Sequence, residues 1–271
     1  MCGIVAAASQ KNVINILSDG LRHLEYRGYD SAGIAVINNK DINAFKKEGN
    51  VKELIRSLDE KLNSNIGIAH TRWATHGKPS EKNAHPHISE NNIAIVHNGI
   101  IENYQEIKNN FFKDVQFSSE TDSEVLSHLI NLYSQENSIL DAVHLSLKEV
   151  KGSYAIAVLD KKDPNKIIVA RNGSPLIIGI GEKENYVASD IQALIKYTNK
   201  FVYLEDGDFA TISADEVKIF DQDKNNIRRE TKKSNLSFNS NSKEGYEHFM
   251  LKEIFEQPEA VRATIQDRII D

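Results

Sequence analysis

Two short runs constrain the fold of this chain more than anything else in it. Ile66-Gly67-Ile68-Ala69 and Ile93-Ala94-Ile95-Val96 carry no polar side chain. A strand with one solvated face alternates apolar and polar residues, so an unbroken apolar run reads as a strand covered on both faces. A chain with two such strands must supply further layers to cover them.

The remaining sequence offers those layers. Strands are expected over 3–8, 32–37, 66–71, 93–97, 153–159, 166–170, 176–181, 186–188, 201–204, 209–213 and 217–220. Helical periodicity falls in 13–22, 53–62, 104–111, 123–133 and 140–150. Short strands with scattered helices, and no strict βαβ repeat, point to an α+β layered domain and not a doubly wound sheet. From Lys232 to Gly245 the chain turns to Ser, Asn and Lys, which is linker chemistry. Apolar residues return at Phe249, Met250, Ile254 and Phe255; Pro258 follows, and 259–270 has helical character. The expectation is one domain over residues 1–238. Over 239–271 it is a linker and the start of a further domain, with the chain breaking off inside a helix.

Composition excludes several partners. Of 271 residues, 40% are apolar and 27% charged, and the formal net charge is −6. No basic excess advertises nucleic acid or an anionic membrane. The basic group Arg228-Arg229 and Lys232-Lys233 reads as a solvated surface. No apolar run approaches the roughly 20 residues of a membrane helix. The N-terminus lacks the pattern of a signal peptide. A cytoplasmic address is expected, which suits a chain with one cysteine and therefore no internal disulfide.

That cysteine is Cys2, directly after Met1. One reading is a small apolar residue at the start of a strand. The other is a nucleophile: removal of Met1 would leave a thiol and a free α-amine on one residue. Such an amine titrates at about 7.7–8.0, so it can act as a base near neutral pH.

Four segments set polar groups beside apolar strands. Leu24-Glu25-Tyr26-Arg27-Gly28-Tyr29-Asp30-Ser31-Ala32-Gly33 reads equally as a surface turn entering a strand or as a site. His70-Thr71-Arg72-Trp73-Ala74-Thr75-His76-Gly77 follows a covered strand. Arg72 there offers a planar fork for a carboxylate or a structural ion pair. Trp73, the only tryptophan, is a packed residue or a cover for a ligand. His97-Asn98-Gly99-Ile100 contains the strongest short hairpin signal, Asn-Gly. Because a helix is expected soon after, a strand end bearing an oxyanion hole competes with the hairpin, with the Asn98 amide and the Gly99 N–H as donors. In Glu120-Thr121-Asp122, Asp122 either caps the helix expected from 123 or binds a cationic ammonium.

Five of the nine histidines lie between His70 and His97. None pair at i, i+4 and no second cysteine can join them, so neither a metal nor another cofactor is expected. A Cys–His thiol protease would leave the N-terminal placement of Cys2 unexplained.

Taken together, these segments resemble the glutaminase domain of the class II glutamine amidotransferases, the N-terminal-nucleophile family. The resemblance rests on Cys2-Gly3-Ile4-Val5, Glu25 to Gly33, His70 to Gly77, Asn83-Ala84-His85-Pro86-His87 and His97 to Asn103. Ser119 to Asp122, Gly173-Ser174-Pro175-Leu176 and Lys252-Glu253-Ile254 complete it. It implies a four-layer αββα sandwich and a substrate, L-glutamine. It implies that Cys2 is the nucleophile with its own α-amine as base, and that Asn98 and Gly99 form the oxyanion hole. By the same resemblance Arg72 clamps the glutamine α-carboxylate and Asp122 pairs with the α-ammonium. Trp73, Thr75, His76 and Gly77 form the loop that closes over glutamine, and Arg27 lies close to the nucleophile. The wording from Thr71 to Gly77 favours members that pass ammonia to fructose 6-phosphate through further sugar-isomerase-like domains, and whose full-length protein is a homo-oligomer. The alternatives are another class II member, such as one making phosphoribosylamine, and a non-catalytic glutamine-binding module.

Overall fold

The structure, a computed structural model, describes residues 2–27, 29–234 and 246–265. Strand β1 (Gly3–Ser9) leads to helix α1 (Ile14–Leu24), then to the hairpin β2 (Ser31–Asn38) and β3 (Asp41–Glu48). Helix α2 (Val51–Ser57) precedes β4 (Ile66–Arg72), and β5 (His87–Ser89) pairs with β6 (Ile93–Ile101). Helices α3 (Tyr104–Phe111), α4 (Ser123–Tyr133) and α5 (Ile139–Glu149) follow. Next come β7 (Gly152–Asp160), β8 (Ile167–Asn172), β9 (Ile177–Ile180) and β10 (Glu184–Ala188). The remaining strands are β11 (Lys200–Tyr203), β12 (Phe209–Ile212), β13 (Val217–Phe220), β14 (Asn226–Ile227) and β15 (Thr231–Lys233). The chain divides into two units, Met1–Asn235 and Leu236–Asp271.

Within the first unit the strands form two sheets, ordered β15-β11-β9-β10-β1-β4-β2-β3 and β14-β13-β12-β8-β7-β6-β5. The pairings within both sheets are antiparallel. Alternation along β1 shows how the layers arise. Ile4, Ala6 and Ala8 enter the core between the sheets, beside Ala94, Val96, Ala155 and Ala157. Val5 and Ala7 face the other way, onto Leu17, Leu21 and Leu24 of α1. On the second sheet, Ile93 and Ile95 pack with Leu126, Leu129 and Val143 from α4 and α5. Successive residues of a strand point to opposite faces, so each doubly apolar strand serves two cores at once. The result is the expected αββα sandwich. Leu17 is fully buried, and its truncation to Ala would cost about 2–5 kcal/mol.

Local chemistry sets several boundaries. Asn50 caps α2 by accepting the N–H of Glu53 at 3.0 Å, so this helix starts earlier than the expected 53–62 and ends at Ser57. The edge strand β3 and the short β5 were not expected; β3 mixes Lys and Asn into its pattern, as an exposed edge does. In the second unit, α6 (Phe249–Ile265) runs through Pro258, whereas helical character was expected only beyond it. Residues 266–270 of that expectation, and the linker from 235 to 245, lie outside the described residues.

A correction concerns Asn98-Gly99. They neither turn a hairpin nor end a strand: β6 continues to Ile101, with Asn98 opposite Ala155 and Gly99 opposite Tyr154. Gly99 has a φ of +136°, and a Cβ there would lie 2.0 Å from the Ser153 carbonyl oxygen. Only glycine fits, so the residue pattern that resembles a turn is instead a local distortion within a strand.

Candidate active site

Cys2 stands at the head of β1, whose neighbours β4 and β10 place it mid-sheet. Its Sγ accepts the backbone N–H of Trp73 at 3.2 Å and lies 3.4 Å from the Trp73 carbonyl oxygen. Burial pushes the Cys2 thiol above its ordinary range; the Trp73 N–H and the Arg72 charge oppose the shift. The thiol is therefore mostly protonated at neutral pH and needs a base to become a strong nucleophile.

The second sheet brings β6 against this point. The Asn98 Nδ2 donates to the Cys2 carbonyl at 3.2 Å. The Asn98 Oδ1 lies 2.9 Å from the Nε2 of His70. Cys2 and Asn98 line a cavity of about 260 Å³. Its wall also includes Arg72, Trp73, Thr75, His76, Gly99 and Asp122. Most of the residues expected at a site are thus brought together.

Arg72 is 3% exposed, and its guanidinium is directed at backbone carbonyls. It donates to Gly77 at 3.1 Å, to Lys78 at 3.3 Å and to His76. Its Nη1 lies 3.6 Å from Asp30 Oδ1. Arg72 therefore braces the 76–78 turn as well as facing the cavity, and a bound carboxylate would share its fork with those carbonyls. Gly77 takes part through that carbonyl and is not in the lining. Trp73 is 54% exposed at the wall, and the His76 Nδ1 lies 3.9 Å from Asp122 Oδ1.

Asp122 does not cap α4, for its side chain makes no cap hydrogen bond there. Its Oδ2 instead accepts the N–H of Ile101 at 2.7 Å. Arg27 lies in the single turn Glu25–Arg27, and its side chain is outside the described residues.

Three supporting groups escaped the sequence reading. Asp30 accepts the N–H of Ala74 and fixes the turn after β4, while its own N–H bonds the Arg72 carbonyl at 2.7 Å. Glu124 accepts from the backbone N–H and hydroxyl of both Ser118 and Ser119, at 2.6–2.7 Å, and so fastens the loop before Asp122. Burial alone would raise the Glu124 carboxyl, but hydrogen bonds from His128, Ser119 and Ser118 outweigh it and hold the group well below the carboxylate range. Ser153, near the start of β7, and Ser174, in the loop after β8, reach the cavity. The Gly173-Ser174-Pro175 wording was the only sequence signal for either.

Among the described residues, no group of three His, Cys, Asp or Glu side chains is placed to hold a metal ion. Nor is any helix among them long and apolar enough to cross a membrane. Arg229, in the basic group read as solvated, pairs with the buried Asp208 at 2.8 Å.

The layered fold, and a cysteine at the head of a central strand facing an Asn-Gly pair, define an N-terminal-nucleophile amidotransferase. The chain carries a glutamine amidotransferase domain: the family model of that description matches residues 70–196. It is similar to the glutamine–fructose-6-phosphate aminotransferase (isomerizing) of Shewanella oneidensis, 50% identical over 99% of this chain and 45% of that protein. The enzyme of the same name from Francisella tularensis is 50% identical over 100% of this chain and 45% of its own length. The chain thus spans less than half the length of these relatives. A solved glutamine phosphoribosylpyrophosphate amidotransferase from B. subtilis superposes with a TM-score of 0.71 at 27% identity, covering 84% of this chain and 50% of that one.

Proposed function

We propose that this chain hydrolyses L-glutamine to glutamate and ammonia through a glutamyl thioester on Cys2. One observation carries the reading: the Asn98 amide and Gly99, from one sheet, meet Cys2, from the other, in a cavity that also holds Arg72 and Asp122.

Once Met1 is removed, the α-amine of Cys2 takes the thiol proton and the sulfur attacks the side-chain amide carbon of glutamine. A carbon–sulfur bond forms, and the negative charge moves to the carbonyl oxygen, where the Asn98 Nδ2–H and Gly99 N–H stabilise it. Collapse of that intermediate breaks the carbon–nitrogen bond. The amine returns its proton to the leaving nitrogen, through water, and ammonia departs. Water then attacks the thioester with the amine again as base, releasing glutamate and the free thiol.

Asp122 pairs with the substrate α-ammonium and Arg72 with its α-carboxylate. A site built to hold both charges rejects analogues that lack one, because its own buried groups would be left unpaired. Thr75, His76 and the 76–78 turn cover the substrate, and Arg27 stands near the nucleophile. In the full-length protein, further domains beyond a boundary near residue 238 pass the ammonia to fructose 6-phosphate, giving glucosamine 6-phosphate. A cytoplasmic homo-oligomer belongs to the same proposal. The 50% identity to fructose-6-phosphate aminotransferases, against 27% to the phosphoribosylpyrophosphate enzyme, supports this acceptor.

The test is glutamate release from L-glutamine, with the intact mass of the same sample recorded. Glutamate from protein lacking Met1 supports the reading. None from fully processed protein would sink autonomous hydrolysis and mean either that a further domain completes the site or that this is a glutamine-binding module.

A further inference from the structure

The amide of an asparagine can face a pocket with either end, and only the NH2 end can stabilise an oxyanion. At Asn98 the neighbouring groups decide which. His70 lies on β4, paired with Ile4 of β1 and Gly33 of β2, and is completely buried. Its ring crosses to the opposite sheet. The Nε2 lies 3.1 Å from the His97 carbonyl oxygen and 2.9 Å from the Asn98 side chain.

A backbone carbonyl can only accept, so the Nε2 must carry the proton. The Asn98 atom sharing that proton must then also be an acceptor, namely Oδ1. The Nδ2 is left to face Cys2, and it does, at 3.2 Å from the Cys2 carbonyl oxygen.

We infer that His70 is a positioning residue for the oxyanion site: its Nε2–H holds the Asn98 side chain in the one orientation that aims the amide NH2 at the nucleophile. The inference deepens the glutaminase reading and rests on it for its consequence in rate. The titratable and charged neighbours favour the neutral ring. His85 packs against it, tilted, at 4.2 Å between ring centres, and Arg72 adds positive potential. Burial is the largest cause, and the His70 imidazole is pushed down to about 3. The proton on Nε2 is therefore one that a neutral imidazole holds throughout the working pH range.

Two variants separate this role from mere packing. His70→Gln keeps a donor near the position of Nε2, and His70→Phe keeps a ring without one. Losing one oxyanion donor outright costs about 10²–10³ in rate. Expected for His70→Phe is a kcat lower by about 10- to 100-fold with KM for glutamine unchanged, because only the transition state is affected. His70→Gln should stay within about 3-fold of the parent. Alkylation of Cys2 by iodoacetamide, which develops no oxyanion, should proceed equally in all three. Full kcat in His70→Phe, or equal damage in both variants, would overturn the inference.

Nitrogen-15 NMR of the histidine-labelled parent chain gives a reading independent of activity and of any variant's folding. His70 should show protonated Nε2 and bare Nδ1, unchanged between about pH 5.5 and 8.5. An Nδ1–H tautomer, or titration in that range, would refute the assignment. Should the processed parent release no glutamate, the function reading fails and the NMR result alone decides the orientation of Asn98.

Discussion

The carboxylate of Asp122 accepts the backbone N–H of Ile101 at 2.7 Å, tying the start of α4 to the strand that carries Asn98 and Gly99. The group proposed to read the substrate ammonium is thereby fixed relative to the oxyanion donors. In Asp122→Asn the amide oxygen can still accept from Ile101, so the fold should persist while the charge is lost. KM for glutamine should rise by about 10- to 100-fold, with a smaller change in kcat. An unchanged KM in steady-state kinetics would confine Asp122 to bracing the strand.

Cys2→Ala should abolish glutamate release and leave glutamine binding measurable by calorimetry. Among the described residues the thiol hydrogen-bonds only to the Trp73 backbone, so its loss should remove the reaction at small structural cost. Residual turnover above background would dismiss the nucleophile assignment.

Asn98→Ala should lower kcat by about 10²–10³-fold. A loss seen only in KM would show that Asn98 positions substrate and does not stabilise charge.

Acid should destabilise this fold early. Burial pushes His70 down to about 3, and pushes His85 and His87 well below their ordinary range. In the unfolded chain these groups titrate near 6.5. Below that pH the unfolded state binds more protons than the native state, so stability falls as pH falls. Each such histidine contributes a slope of about 1.4 kcal/mol per pH unit until its folded pKa is reached. The depressed carboxyl of Glu124 adds a loss of the same sign at lower pH. Urea midpoints measured at pH 7.5, 6.5 and 5.5 should fall slightly from the first to the second and clearly more from the second to the third. A flat profile down to pH 5 would contradict the buried neutral state of these rings.

Gly33→Ala should destabilise by about 2 kcal/mol or more. A Cβ there would sit 2.1 Å from the His85 carbonyl oxygen, and backbone cannot move aside as a flexible side chain can. Thermal melts would decide it; a variant as stable as the parent would mean that the 85–87 segment shifts freely.

Most of the buried strands were legible in the sequence, and so were the principal polar groups that meet at the cavity. Cys2, Asn98 and Asp122 lie beside uninterrupted apolar runs or helix starts, where a polar group stands out. The edge strand β3 was illegible because an edge can carry lysines and asparagine without cost, and β5 because three residues are too few to show a period. The position of Asn98-Gly99 within β6 was misread for a related reason. A positive φ normally marks a turn, and nothing local reveals that Ser153 closes over Gly99 in mid-strand. The roles of His70, Asp30 and Glu124 depend on partners that the fold, not the spacing, brings near.

The middle position of β1 also orders events in time. One neighbour, β4, is made within the first 72 residues, but the other places Val5 opposite Ala188 and bonds the Ile4 N–H to the Ser189 hydroxyl. The strand bearing the thiol is among the first segments to leave the ribosome, and it waits for most of the domain before its second edge is closed. Closure over so long a stretch of chain is slow compared with local contacts. A nascent chain therefore carries the proposed nucleophile long before the cavity around it is complete.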